Sequence, residues 1–495
     1  MSSLLKLCKH KKSSAALELL KHPDQCDMSA VDSIVFPNIP IDSNLNPLMW
    51  ACRNALSDVA MEILKYPNKC DINHISPSFG TALSIACRYE MVNVALELLK
   101  YTPDLYDSAF RFACTNGLKD VVIEMLKYPE KCKLDQPYRP KVFLFRAEKK
   151  VINMFFFAVK MNHIEIALEL LKYTDFYDIS VENKDGYTAL MEACSLGRSE
   201  IAIAMLKCPK FKYADVKDYR TGQNAFLIAC ASSNMKDVIA EFMKQPEKYN
   251  VGCIDGDGKN ALMSAVDARW RPIQNNPYTY TLDDNALQLL QYPDYFNTDH
   301  TNVHDQTVLI IACINRSVTV ALEILKHPDK CKIGHVSKDG HTAFSMACRN
   351  KLDTVALEIL KHPDKYKINY IYENGYTALR YACENKLDAV ALEILKDPDN
   401  CNIDQIVTCS TTLMVACGNG MAEVALRLLE FPDKCNLEHS SAGETALTLA
   451  VASGLDEVAN VIKQHGDIRK LIGLTYVQKK LLDEANNASW WNLWG

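Results

Sequence analysis

With 495 residues, 48% of them hydrophobic and 23% charged, the chain has the proportions of a folded protein. A formal net charge of −6 gives no overall basic footprint, so nucleic acid is not the expected partner. No apolar run approaches the ~20 residues of a membrane helix, and the Lys-rich start lacks the apolar stretch of a secretion signal.

Taken in order, the chain opens on a degenerate helical copy around Leu7-Cys8, followed by a Pro- and Asn-rich interval over 34–47. A small-residue pair then recurs inside a predicted short helix. It is Ala-Cys at Ala51, Ala86, Ala113, Ala193, Ala229, Ala312, Ala347, Ala382 and Ala416, and Ala-Val at Ala158, Ala265 and Ala450. These twelve copies, most of them about 35 residues apart, outweigh any single motif because a fixed period dictates the architecture. Length alone would suggest three or four globular domains; stacked copies instead predict one continuous elongated body.

The clearest copies are 336–365, VSKDGHTAFSMACRNKLDTVALEILKHPDK, and 371–400, IYENGYTALRYACENKLDAVALEILKDPDN. Each reads as a turn, a short helix, a tight bend and a second helix. Asp339-Gly340 is a turn dipeptide. The stretch 342–350 predicts a helix with Ala343, Phe344, Met346 and Ala347 on one side. Asp353 is placed to cap the second helix, which ends before Pro363. Leu352, Val355, Ala356, Leu357, Ile359 and Leu360 make a stripe too broad for one face, so the second helix is expected to lie between neighbouring copies.

Three intervals depart from the period. The turn segment is shortened before Ala113, after Leu99. About ten residues are gained over 134–150 before Ala158, and 268–281 is inserted between the two helices of one copy. Both insertions are expected as surface loops. At the end, 456–465 completes the last pair, Gly466 stops it, and Thr475-x-x-Gln478 starts a final helix by a capping box. The reading gives a degenerate N-terminal repeat or cap over 1–46, a repeat array over 47–466, and a capping helix with a frayed aromatic tail, SWWNLWG, over 467–495.

The turn Asp-Gly, then Thr-Ala-Leu-x-x-Ala-Cys, then a second helix resembles the ankyrin repeat. Thr81-Ala-Leu, Thr188-Ala-Leu, Thr342-Ala-Phe, Thr377-Ala-Leu and Thr445-Ala-Leu stand where that family has Thr-Pro-Leu, and the family's His is absent. The ALEILKHPDKC style also resembles the expanded ankyrin arrays of large DNA viruses of amoebae. The resemblance implies an all-α ankyrin-repeat solenoid of about 12–13 helix–turn–helix repeats with short turn or hairpin fingers. It implies a non-catalytic, monomeric protein–protein interaction scaffold of the cytoplasm (host cytoplasm or nucleus for a viral chain), with no cofactor and no membrane. The alternative it raises is a substrate-recruiting adaptor for an enzyme complex such as a ubiquitin ligase, although 466–495 is too short for an F-box and lacks its Leu-Pro opening. Carried over by position, the concave partner surface comprises Arg53, Asn54, Arg88, Tyr89, Thr115, Asn116, Tyr187, His341, Arg349, Asn350, Tyr376, Glu384 and Asn385. Trp270, in the second insertion among Arg269, Arg271, Tyr278 and Tyr280, joins them because aromatic and Arg side chains dominate interface hot spots.

The remaining temptations follow the period. Of 19 cysteines, nine share one first-helix position and six follow the second helix, at Cys26, Cys70, Cys132, Cys331, Cys401 and Cys435. Equivalent atoms in stacked helices lie about 8–10 Å apart, too far for disulfides, whose Cα atoms need about 7 Å or less, or for zinc. They are expected as small, buried, inert thiols. His300-x-x-x-His304 has metal-ligand spacing but lies in a turn region. Glu-x-x-Lys pairs such as Glu358–Lys361 make a solvated outer face. The basic residues Arg139, Lys141, Arg146, Lys149 and Lys150 sit in the first insertion as an exposed edge. No phosphate-cradling Gly loop, H-E-x-x-H or G-x-S-x-G is present.

Overall fold

The computed structural model describes residues 3–31, 44–102, 107–135, 153–183, 185–211, 215–267, 282–363, 366, 368, 370–372 and 375–465. The insertion 268–281, nearly all of 134–150, the capping helix proposed after Gly466 and the aromatic tail lie outside them. The described chain is a succession of 26 helices, two to a repeat, grouped in two compact units, Met1–Asn250 and Val251–Gly495. The first unit holds the pairs Ser3–Lys9 with Ser13–Leu20, Pro47–Arg53 with Ser57–Leu64, Ala82–Arg88 with Val92–Leu99, and Asp107–Thr115 with Lys119–Met125. Met154–Lys160 with Ile164–Leu170, Ala189–Ser195 with Ser199–Lys207, and Ala225–Cys230 with Lys236–Phe242 complete it. The second unit holds Ala261–Val266 with Leu282–Leu289, Val308–Asn315 with Val318–Leu325, and Ala343–Arg349 with Asp353–Leu360. Its last pairs are Ala378–Glu384 with Asp388–Ile394, Thr412–Gly418 with Ala422–Leu429, and Ala446–Ala452 with Asp456–His465.

Eleven of the thirteen first helices start on a side-chain cap. Thr342 Oγ1 accepts from Ser345 N at 3.1 Å, and Thr81, Thr188, Thr307, Thr377, Thr411 and Thr445 do the same in their copies. Asn46, Asn153, Asn224 and Asn260 replace Thr and do more. Asn46 Oδ1 caps Met49 N at 2.9 Å while its amide donates to the Asp71 carbonyl at 2.7 Å, at the start of the next copy. The first helix is then buried all round: Ala343, Phe344, Ser345, Met346, Ala347 and Cys348 are all in the core. This corrects the one-sided reading. It is the first helix, packed between its neighbours' first helices and its own second helix, that is enclosed.

The second helix is the amphipathic one. Leu352, Val355, Ala356 and Ile359 are buried at i, i+3, i+4 and i+7, while Leu357 and Leu360 are only half-buried. Asp353 is the first helical residue, not the cap; the N-cap is Leu352, without a side-chain cap bond. Its carboxylate favours the helix N-terminus through the dipole instead. Between repeats, a finger links each second helix to the next first helix. In one, Ser337 N donates to the His341 carbonyl at 2.9 Å around Gly340 at φ 72. Elsewhere Asn183, Asp255 and Asn302 each place a side-chain oxygen against two backbone N–H groups of their own finger. Backbone bonds join adjacent fingers, as from Lys338 N to the His304 carbonyl at 3.0 Å. Among the described residues, only the last finger forms true strands, Ser440–Ser441 with Glu444–Thr445.

Candidate partner-binding surface

Ten of the candidate residues sit where the first helix breaks into the bend. After the small-residue pair come one side chain on the last helical turn and one at the helix end, and the next residue takes a left-handed conformation. Lys351 has φ 58, Lys386 φ 60, Glu90 φ 61 and Ala55 φ 56. That reversal turns the chain back into the second helix and leaves the preceding pair of side chains at the edge of the stack.

The two members of the pair have different occupations. The asparagines reach back one repeat: Asn54 Nδ2 donates to the carbonyls of Cys8 (2.8 Å) and Lys9 (3.2 Å). Asn116 takes those of Cys87 and Arg88 at 3.0 Å each, and Asn350 those of Cys313 (2.9 Å) and Ile314 (3.2 Å). Each amide caps the unsatisfied C-terminal carbonyls of the preceding first helix. Asn385 instead donates to Tyr381 in its own helix at 2.9 Å, and Asn419 assumes the clamp to Cys383 at 2.9 Å. Thr115 Oγ1 bonds back to the Phe112 carbonyl at 3.0 Å.

The other candidates present more to solvent. Arg88, Tyr89 and Arg349 are exposed. Arg53 is half-buried, its guanidinium 4.9 Å from the Trp50 ring and 4.5 Å from Phe79. On the fingers, Tyr187 and His341 are half-buried. Burial, then the carboxylates of Asp218 and Glu192, push the Tyr187 phenol up to about 12. Tyr376 packs against Tyr381 at 4.8 Å. Glu384 is committed to Arg380, accepting from Nε at 3.0 Å. Trp270 lies outside the described residues. The first set, Arg53 to Tyr187, belongs to the first unit, and the second set, His341 to Asn385, to the second.

Three groups escaped sequence reasoning. Arg380 is 2% exposed, and its Nη1 donates to the carbonyls of Ser410 (2.9 Å) and Thr411 (3.1 Å) in the next finger. Equivalent positions hold Met191, Ser345 and Met414 but also Arg111, so an Arg in that otherwise uncharged column was the available signal. His74, His335 and His439 reach the carbonyls of Asn44 (2.9 Å), Asp305 (2.8 Å) and Cys409 (2.8 Å), each 30 residues back. A carbonyl only accepts, so Nε2 carries the proton in each. His300 fills the same column and bonds to the Gly258 carbonyl at 2.7 Å, so repetition accounts for it without a metal. The constant offset of twelve residues before Ala86, Ala312 and Ala347 would have revealed this column. Third, cysteines after the second helix cap it: Cys435 Sγ donates to Leu428 at 3.0 Å and Cys132 Sγ to Met125 at 3.3 Å.

Among the described residues no three His, Cys, Asp or Glu side chains gather to hold a metal, and no helix is long and apolar enough to cross a membrane. A family model described as ankyrin repeats, in three copies, matches residues 110–218. The matched stretch spans helices from Asp107–Thr115 to Ser199–Lys207, and the same helix pair recurs before and after it, so each unit is an all-α ankyrin-repeat solenoid. Ankyrin repeats are generally protein–protein interaction modules. No curated protein matches the chain.

Proposed function

We propose that the chain is a monomeric, non-catalytic scaffold that binds a protein partner through the concave face, formed by first-helix ends and finger tips. The observation that carries this reading is a division of labour within one repeated frame. Caps, small-residue pair and asparagine clamp recur, while the exposed neighbours change from Arg88-Tyr89 to Arg349. A frame that repeats while its outward side chains vary suits recognition rather than reaction. Trp270 and its insertion are proposed as an additional contact. Cysteines held as thiols rather than disulfides favour a reducing compartment, cytoplasm or nucleus.

Affinity capture with the full chain, mass spectrometry and rebinding of the purified partner test the reading. The expected result is a direct complex that Arg349→Glu or Trp270→Ala weakens without lowering the melting temperature. Failure to rebind any purified protein overturns it. Ubiquitin-ligase subunits in the direct complex would select the adaptor reading.

A further inference from the structure

We infer that the first unit binds an acidic polypeptide segment, with Arg53 and Arg88 as adjacent carboxylate receptors; this rests on the scaffold reading above. The position after the small-residue pair holds Lys9, Arg53, Arg88, Thr115 and Lys160 on five successive first helices. In the second unit the same column holds Asp267, Ile314, Arg349, Glu384, Gly418 and Ala452, one base against two acids. The charge balance of the units agrees. Met1–Asn250 carries 32 Lys and Arg against 30 Asp and Glu, whereas Val251–Gly495 carries 23 against 31.

The two arginines are also held ready. Arg53 lies over Trp50 and Phe79, and Arg88 sits 5.5 Å from the Phe112 ring. Stacking occupies the flat face of a guanidinium and leaves its in-plane N–H groups to meet an acceptor. Among the described residues, neither arginine donates a hydrogen bond or pairs with a carboxylate. Arg380 and Arg427, by contrast, are tied to Glu384 and Glu430. A planar fork without an acceptor matches a carboxylate bidentately. Successive helices stand about 8–10 Å apart, which three residues of an extended polyproline II segment span at roughly 3.1 Å each, one full turn that brings residues i and i+3 to the same side. The preferred ligand is therefore an extended segment with Asp or Glu at every third position.

The test is fluorescence anisotropy of the full chain with a short labelled peptide carrying Glu at every third position, against its Gln counterpart. The Glu peptide should bind, more weakly as salt rises, and the Gln peptide should not. Arg53→Gln and Arg88→Gln should each weaken binding by about fivefold, with unchanged melting temperatures, and Arg→Lys should retain part of it. Equal affinity of wild type and the R53Q/R88Q variant overturns the inference. So does tighter binding of a single-stranded oligonucleotide of equal charge. A protein partner captured equally by wild type and R53Q/R88Q also overturns it while leaving the scaffold reading intact; the absence of any direct partner overturns the scaffold reading itself.

Discussion

The thiols show how one residue type can serve a repeat without reacting. Cys52, Cys87, Cys114, Cys313, Cys348 and Cys383 are wholly buried in first helices, and none of the cysteines forms a disulfide. Burial pushes the Cys87 and Cys313 thiols up to about 12 from an ordinary value of 9.0, so they remain neutral and unreactive at physiological pH. The sign of the consequence follows: the unfolded chain releases these protons first, so the native state holds more of them above pH 9. Their contribution to stability is complete below the unfolded value and is lost as pH climbs from about 9 toward 12. Melting temperatures should therefore fall above pH 9, and replacing both Cys87 and Cys313 by Ala should flatten that fall. Iodoacetamide followed by intact mass should modify exposed Cys409 first, with the first-helix thiols protected until unfolding; early labelling of Cys87 would contradict this. The first-helix ladder was legible in the sequence, since a small residue recurring in one column must fill one slot. The second ladder's bond to a carbonyl seven residues earlier was not, because the sulfur's direction depends on how the second helix ends.

At the scale of the repeat, a left-handed residue and an asparagine hold the two helices and their neighbour together. A non-Gly residue at φ near 60 carries a steric cost of about 1 kcal/mol, which Gly117, Gly197, Gly420 and Gly454 avoid at the same bend. Lys351→Gly should accordingly stabilise the protein by up to about 1 kcal/mol in a denaturant melt, less the extra freedom gained by the unfolded chain. Asn350→Ala should cost about 1–2 kcal/mol, because it removes a donor shared by two helix-end carbonyls. A neutral result would mean that water replaces the amide there. Helix existence, order and the Thr caps could be read from Thr-Ala-Leu and the small pair. The relative burial of the two helices could not. Both carry enough apolar residues for a core, and only stacking decides that Ser345 goes inside while Leu357 stays half-exposed. The same limit applied to the candidate surface: Arg53 and Asn54 are adjacent in sequence, yet one faces the aromatic rings and the other clamps the preceding helix.

Across the whole chain, stability in a repeat array is the sum of each repeat and its contacts with immediate neighbours. The period runs evenly through Ala229 and Ala265, so nothing in the sequence marked the division at Asn250. The Arg380–Glu384 pair offers a probe of how far a local change travels. Arg380 is buried and serves the next finger, while the Glu384 side chain remains 34% exposed at 2.9 Å from Nη2 of Arg380. Replacing Glu384 by Ala strands a buried guanidinium. Full burial of both partners would make that cost about 3–5 kcal/mol; the exposure of Glu384 reduces the expectation to about 1–2 kcal/mol. Arg380→Met puts in the side chain that Met191 and Met414 already show to fit, removing the buried charge together with its donors. It should therefore cost no more than Glu384→Ala, and the double variant should resemble Arg380→Met alone. Amide hydrogen exchange should read both effects locally. Faster exchange is expected in the helices from Ala343–Arg349 to Ala422–Leu429, with Ser3–Lys9 through Val92–Leu99 unchanged. Equal acceleration in those N-terminal helices would show that the repeats open as one cooperative body, and the nearest-neighbour account would fail.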